Sequence, residues 1–272
     1  MIGQTEFVPL KLLGEMQPYP TQLITLPQAI EILLRFPQKL GWLFRGQEDS
    51  SWELLPKAGR KPFYRHARPV DEQRPASRRN PPPDLGRFNH WRELAAGYSS
   101  TLPASDFDCL AYAQHYGLPT RLLDWTANAL AALFFACEGH FDVAGAVYAY
   151  FPRRYIDRDT CDLYSFSGNA CLRVPPFDRR ILAQHAAFVL FGDPAQALSP
   201  SQFEDELKEM NCGEMDLIKC VIPAPAKLII HRQLEDVGMT RRTLFPDLDG
   251  LSRDFVTEAL YLEAFNARDK NP

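Results

Sequence analysis

The stretch GLPTRLLDWTANALAALFFAC, residues 117–137, constrains the fold more than any other. Its second half, Ala127 to Cys137, is apolar nearly all round, so as a helix it has no face to give to water. Other elements must therefore pack around it. It falls short of the roughly 18 apolar residues that a membrane span needs. Just before it, Arg121 and Asp124 sit inside a run that otherwise calls for burial. Buried charges cost several kcal/mol unless paired or hydrogen-bonded, roughly. Two readings follow. In one, Asp124 or Thr126 caps a helix starting near Ala127, and Arg121 pairs with Asp124 or another carboxylate. In the other, Arg121 faces a cleft at the positive end of that helix, a place suited to an anion such as a phosphate.

The surrounding pattern is that of an α+β domain. Apolar spacing predicts helices over 26–34, 85–99, 107–115, 127–138, 225–237 and 251–265. Strands are expected at 41–46, 145–151, 188–191 and 217–222, the first stopping at Arg45. Strands and helices alternate irregularly, without a repeated βαβ unit or an internal repeat. The expectation is one domain over 1–272, a mixed central sheet flanked by helices. The outlier is a Pro-rich stretch at about 57–84. Lys57, Arg60, Lys61, Arg65, Arg68, Arg74, Arg78 and Arg79 there face only Asp71, Glu72 and Asp84. It reads as a long loop: a solvated insertion, or an arm that follows phosphates at 57–79.

With a net charge of -4 over 272 residues, nothing global advertises nucleic acid. The start, MIGQTEFVPLKLLGE, has no basic region leading into an apolar core, so no secretory signal is expected. None of Cys109, Cys137, Cys161, Cys171, Cys212 and Cys220 makes a C-x-x-C pair. Reduced, buried thiols in a cytoplasmic protein, with no metal site and no membrane association, are the expectation. P-loop, G-x-S-x-G and G-x-G-x-x-G patterns do not occur.

Three further stretches carry candidate chemistry. In FRGQEDSSWELLP, 44–56, Arg45 leaves a strand directly before Gly46, where a ligand can approach the backbone closely. Alternatively Arg45 pairs with Glu48 or Asp124. In RRILAQHAAFVLF, 179–191, Gln184 and His185 stand where a helix or turn enters a strand, and the His reads as structural. In TLFPDLDGLSRD, 243–254, Asp247 or Asp249 reads as the N-cap of a terminal helix.

Taken together, the segments Phe44-Arg45-Gly46-Gln47, Trp52 to Pro56, 113–137, 145–150, 180–191 and 243–251 resemble the FRG domain family, in its order. One departure is Ala186, where the family pattern usually has Gly. A more distant resemblance is to ADP-ribosyltransferases whose core opens with a strand ending aromatic-Arg-Gly. That resemblance implies an ADP-ribosyltransferase-like fold, with NAD as substrate and no metal. Arg45 would hold an NAD phosphate, the segment Thr120 to Thr126 would shape the nicotinamide-ribose pocket, and Gln184 would take the last acidic position. Gln184 is neutral and can only hydrogen-bond, so either Asp124 or Asp247 supplies the charge or the transferase activity is altered or absent.

The expected catalytic set is thus Arg45, Arg121, Asp124 and Gln184. Ligand contacts are expected from Phe44, Gly46, Gln47, Tyr116, Thr120, Trp125, Asp247 and Asp249. The function so implied is transfer from NAD to a macromolecular acceptor such as nucleic acid, in a bacterial toxin or phage-defence setting, with a regulatory protein partner. The alternative is a nucleotide- or nucleic-acid-binding module without turnover.

Overall fold

The computed structural model of the chain describes residues 22–64, 82–199 and 217–269. Most of the basic stretch, 65–81, lies outside the described residues, as does Cys212. Six strands form one sheet: β1 (Leu43–Gln47), β2 (Leu122–Thr126), β3 (Gly145–Tyr150), β4 (Asn169–Leu172), β5 (Ala186–Phe191) and β6 (Leu217–Ile222), in the order β4-β5-β2-β1-β3-β6. The helices are α1 (Leu26–Leu33), α2 (Pro83–Ala95), α3 (Asp106–His115), α4 (Ala129–Cys137), α5 (Arg179–Ala183), α6 (Ala224–Asp236), α7 (Arg241–Leu244) and α8 (Leu248–Asp269). Among the described residues, no helix is long and apolar enough to cross a membrane.

The class is α+β, but the expected mixed sheet is corrected: every strand pair is antiparallel. The reason is the placement of β1. The chain crosses from β2 to β3 through α4, which makes those two strands parallel, but β1 lies between them and is antiparallel to both. Two strands were missed in the sequence, β2 and β4. The first also moves the helix start. Asp124 and Thr126 belong to β2, and Asn128 caps α4, its side-chain oxygen accepting from Leu130 N at 3.0 Å. The Thr126 hydroxyl instead accepts from Asn128 N at 2.9 Å, which fixes the turn between strand and helix.

The two central strands are barely joined. β1 and β2 share a single register position, Phe44 opposite Thr126, whereas β1 and β3 pair along all of β1. Beyond that position the sheet splits into β1-β3-β6 and β2-β5-β4. Each half has its own core on the same face. Phe44, Val147, Ala149, Ile218 and Cys220 pack with α1, α4 and α6. Leu122, Ala170, Leu172, Phe188 and Leu190 pack with Leu85 and Phe88 of α2 and Phe107 and Leu110 of α3. The opposite face buries Leu123, Trp125, Tyr148, Tyr150, Val189 and Phe191 beneath Leu54 and Leu198.

Two contacts fix the edge of the split. A Cβ on Gly46 would stand 1.9 Å from Ala132 O and 2.7 Å from Ala136 N, so glycine is what lets β1 lie on the α4 backbone. Second, Lys227 of α6 is fully buried, and its ammonium donates to the carbonyls of Glu48 at 2.7 Å, His140 at 2.8 Å and Gly139 at 2.5 Å. This cation ties the end of β1 to the loop leaving the negative end of α4. Burial pushes its pKa down, against the pull of Cys137 and Glu48.

The Gly46 contact makes a quantitative expectation. Gly46→Ala should lower the unfolding free energy by about 3 kcal/mol, because strand and helix must separate to admit one methyl group. Urea denaturation followed by circular dichroism checks this, and wild-type stability in the variant would contradict the packing described.

Candidate functional site

At the split lies a cleft of about 660 Å³. Its floor is the diverging pair of strands, with Arg45, Gly46 and Gln47 on one side and Leu123, Asp124 and Trp125 on the other. The segment after β1 supplies Trp52, Lys57, Arg60, Lys61 and Phe63. Gln114 and His115 come from the end of α3, Arg180 and Gln184 from α5 and its cap, and Phe135 and Phe245 from the α4–α7 side.

Arg45 stands at the centre. Its Nη1 donates to the main-chain carbonyl of Asp124 at 2.6 Å, across the gap where strand hydrogen bonds have ceased. The sequence offered Glu48 or the Asp124 carboxylate as its partner; the bond is to backbone instead. Its Nε is buried and has no partner. Burial lowers the Arg45 pKa to about 10, with Asp124 acting in the opposite direction and Arg60 adding to the depression. The guanidinium stays charged at neutral pH but is under-compensated, which favours an anion beside it.

Arg60 is the second guanidinium of the cleft, bonded through Nε and Nη2 to Leu55 O at 3.0 and 2.7 Å. Burial lowers its pKa as well, against the Asp124 charge. Among the described lining residues, Arg45, Lys57, Arg60, Lys61 and Arg180 stand against the carboxylates Glu48 and Asp124. The site is therefore electropositive inside a chain of net charge -4. Lys57 also lies over the Phe63 ring at 5.5 Å, and Trp52 is exposed at the rim, so flat apolar surfaces alternate with cations.

Asp124 is exposed, and its carboxylate accepts from Gln114 Nε2 at 2.7 Å. Gln114 is held in turn by the Thr120 hydroxyl, which donates to its Oε1. Thr120 itself is buried and also accepts from Leu122 N at 3.2 Å, so it orients the carboxylate at one remove and does not line the cleft.

Arg121 follows the first of its two readings, a brace paired with another carboxylate, so its expected place in the catalytic set is corrected. It is 2% exposed, and Nε and Nη2 grip the two Asp84 oxygens at 2.7 and 2.8 Å while Nη1 donates to Gly192 O at 3.0 Å. It braces the start of α2 against the end of β5 and does not reach the cleft. Tyr116 is also elsewhere: it is 63% exposed, with its hydroxyl 3.5 Å from that of Tyr112. Phe44 and Gly46 do line the cleft, but Phe44 is buried in the α4 core and Gly46 is explained by its contact with α4.

Asp247 and Asp249 do not line the cleft; both engage Arg180, which does. Asp247 bonds Arg180 Nε and accepts from Gly250 N at 2.8 Å, and these bonds, the Arg180 one foremost, lower its pKa to about 2. Asp249 lies 3.5 Å from Arg180 Nη2. The guanidinium groups of Arg180 and Arg241 lie over the Phe245 ring, at 5.4 and 4.6 Å from its centroid. Gln184 does line the cleft, but its amide nitrogen donates to Leu244 O at 3.1 Å. Thus Arg45, Asp124 and Gln184 meet in one hollow, and Arg121 is replaced there by Arg60. Arg60 and Lys61 were visible only as part of the basic stretch; the signal was their spacing around Phe63.

The profile of the FRG domain matches residues 41–144. The chain carries an FRG domain. No curated protein and no solved structure matches the chain. The FRG match spans β1, α2, α3, β2 and α4 and ends one residue before β3. It therefore contains both strands of the split, the Arg121–Asp84 brace, and Arg45, Arg60, Gln114 and Asp124. The opposite wall, with Arg180, Gln184 and Phe245, lies beyond the matched FRG segment.

No group of three or more metal-ligating side chains occurs among the described residues. No disulfide joins the described cysteines, four of which are buried, and burial pushes the Cys137 thiol up to about 12.

The two arginines should separate cleanly in stability. Arg121→Met leaves Asp84 buried without its partner and should cost about 3–5 kcal/mol. Adding Asp84→Leu should restore part of that loss, since no lone buried charge remains. Arg45→Met should cost less than Arg121→Met. Equilibrium denaturation of the four proteins tests the assignment; an Arg121→Met variant as stable as wild type would refute the brace.

Proposed function

We propose that the protein is an ADP-ribosyltransferase-like enzyme that takes NAD into the cleft between β1 and β2. The observation that carries this reading is the under-compensated Arg45 guanidinium at the floor of a cleft rich in cations and aromatic rings. Arg45 and Arg60 would hold the pyrophosphate, since a planar, permanently charged fork suits phosphate oxygens. The ring surfaces of Trp52 and Phe63 would flank the two bases. Breaking the glycosidic bond to nicotinamide builds positive charge on the ribose, and a carboxylate fixed nearby stabilises it. Asp124, oriented by Gln114, is the side chain suited to that task. Gln184 would bond a ribose hydroxyl through its carbonyl oxygen, its amide nitrogen being held by Leu244 O.

The acceptor proposed is nucleic acid, brought to the cleft mouth by Lys57, Arg60 and Lys61, in the toxin or phage-defence setting that the resemblance implies. One observation favours a second reading, a nucleotide-binding module without turnover. Gln184 is neutral and its amide is already engaged, so no acid stands where the resemblance expects one.

The test combines binding and turnover. The wild type should bind ADP-ribose and release nicotinamide from NAD. Arg45→Ala and Arg60→Ala should each weaken ADP-ribose binding about tenfold or more, the loss expected for a charge-assisted bond. Asp124→Asn should depress turnover more than binding. Binding without any nicotinamide release, in the presence of DNA or RNA, would leave the module reading. Absence of both would remove the assignment. Nucleic-acid binding should weaken steeply between 50 and 200 mM salt, roughly as the number of phosphates contacted requires.

A further inference from the structure

Buried polar atoms in folded proteins almost always find a partner, so those that do not call for an explanation. In the FRG domain three such atoms belong to residues placed at the split: Arg45 Nε, Gln47 Oε1 and Trp125 Nε1. The register explains that placement. Phe44 faces Thr126, so the next positions, Arg45 and Trp125, are neighbours on the other face, and Gln47 follows Arg45 on that same face. All three residues line the cleft. Arg45 carries charge and serves an anion. Gln47 and Trp125 carry none, and each is only 3% exposed.

Their chemistry is defined. An indole nitrogen can only donate. Gln47 Nε2 faces the carbonyl of Glu53 at 3.4 Å, and a carbonyl requires the nitrogen of the amide there, so the group turned away is the acceptor Oε1. The pair thus presents one neutral donor and one neutral acceptor. The packing around it is apolar, with Leu123 on the same face and the Trp125 ring 5.1 Å from that of Tyr150. The ligand edge that complements this set has a carbonyl beside an N–H on a planar group. A carboxylate lacks the N–H and would set its charge against Oε1.

We propose that Gln47 and Trp125 form a subsite that reads an uncharged amide edge, Trp125 Nε1 donating to its carbonyl and Gln47 Oε1 accepting from its N–H. The proposal rests on the reading of the cleft as a nucleotide site and names the part of the ligand bound at its inner end. Two sources carry this edge: the carboxamide of nicotinamide, and the lactam of a base such as hypoxanthine. Phosphate recognition by Arg45 and Arg60 is separate from it, so the two can fail separately.

The experiment measures binding of four probes to the full chain by ligand-observed NMR and calorimetry: nicotinamide, nicotinic acid, inosine and ADP-ribose. Nicotinamide or inosine should bind saturably, and nicotinic acid should bind at least about tenfold more weakly than nicotinamide, the discrimination of a site built to meet an N–H. Trp125→Phe and Gln47→Met keep the packing and remove one bond each; both should weaken the amide probe about tenfold while ADP-ribose affinity is unchanged. Inosine binding with no nicotinamide binding supports the subsite and assigns it to a lactam base. Binding of ADP-ribose with neither amide probe binding overturns the subsite and leaves the phosphate site standing. Failure of all four probes overturns both. Equal affinity for nicotinamide and nicotinic acid in the wild type also overturns the subsite, and this holds even if the variants do not fold.

Discussion

The structure turns on a single meeting point, Phe44 against Thr126, where two halves of a sheet touch and then part. A continuous sheet would hide its central strands under hydrogen bonds and helices. Here the strands separate on the side of Gln47 and Leu122, and the helix groups on the shared face stay apart, one around α4 and the other around α2 and α3. Backbone groups left without a strand partner must be met some other way. Arg45 does this for Asp124 O, and so a side chain takes over the role of a ladder bond. The cleft and its central cation therefore have one cause. Closing the split would remove the cavity and the reason for an arginine at that position together.

Two arginines in similar sequence settings have opposite fates, and packing explains the difference. Arg121 is bonded at all three nitrogens, to both oxygens of Asp84 and to Gly192 O, and its charge is matched by that carboxylate. Its worth is in fixing α2 to the β2-β5 half. Arg45 is held at one nitrogen only, and the nearest carboxylate, Asp124, is drawn toward Gln114. Residual electrostatic demand is what distinguishes a binding residue from a brace, and the sequence shows neither partner. Asp84 is far from Arg121 along the chain, at the end of a basic stretch where its negative charge reads as incidental.

How legible the fold was follows from element length and burial. The edge strand β6 was read at its bounds, and β3, buried along its whole length, was read one residue past its end, because short runs that are mostly apolar leave little choice. β2 was missed because LLDWT is short, follows a proline turn and runs straight into the apolar residues of α4. Its exposed centre, Asp124, is the alternation signal that periodicity could have used, with Leu123 and Trp125 on the far face. β4 is shorter still and offers no pattern. In the site, Arg45, Asp124 and Gln184 were singled out by their motifs. Arg60 was counted only as charge, and the Gln114–Thr120 support of Asp124 needed the fold to appear, since α3 and β2 meet only through tertiary packing.

The remaining question is what keeps the split from collapsing or widening, since the joint itself is one residue pair. On the β1 side the answer is backbone contact and a buried cation. Gly46 seats the strand directly on α4, and Lys227 fastens the carbonyl of Glu48 to those of Gly139 and His140. A buried ammonium held only by neutral carbonyls is costly to move, because any displacement removes several bonds at once from a charge with no water to replace them. On the β2 side, Thr126 holds the turn into α4 and Asn128 caps that helix. Both halves are thereby anchored to α4, one through its C-terminal loop and the other through its N-terminus. The gap between β1 and β2 is then set by the body of one short helix, whose apolar surface has no other place to go. That is why the Ala-rich run, which carries no candidate chemistry of its own, dictates the width of the site.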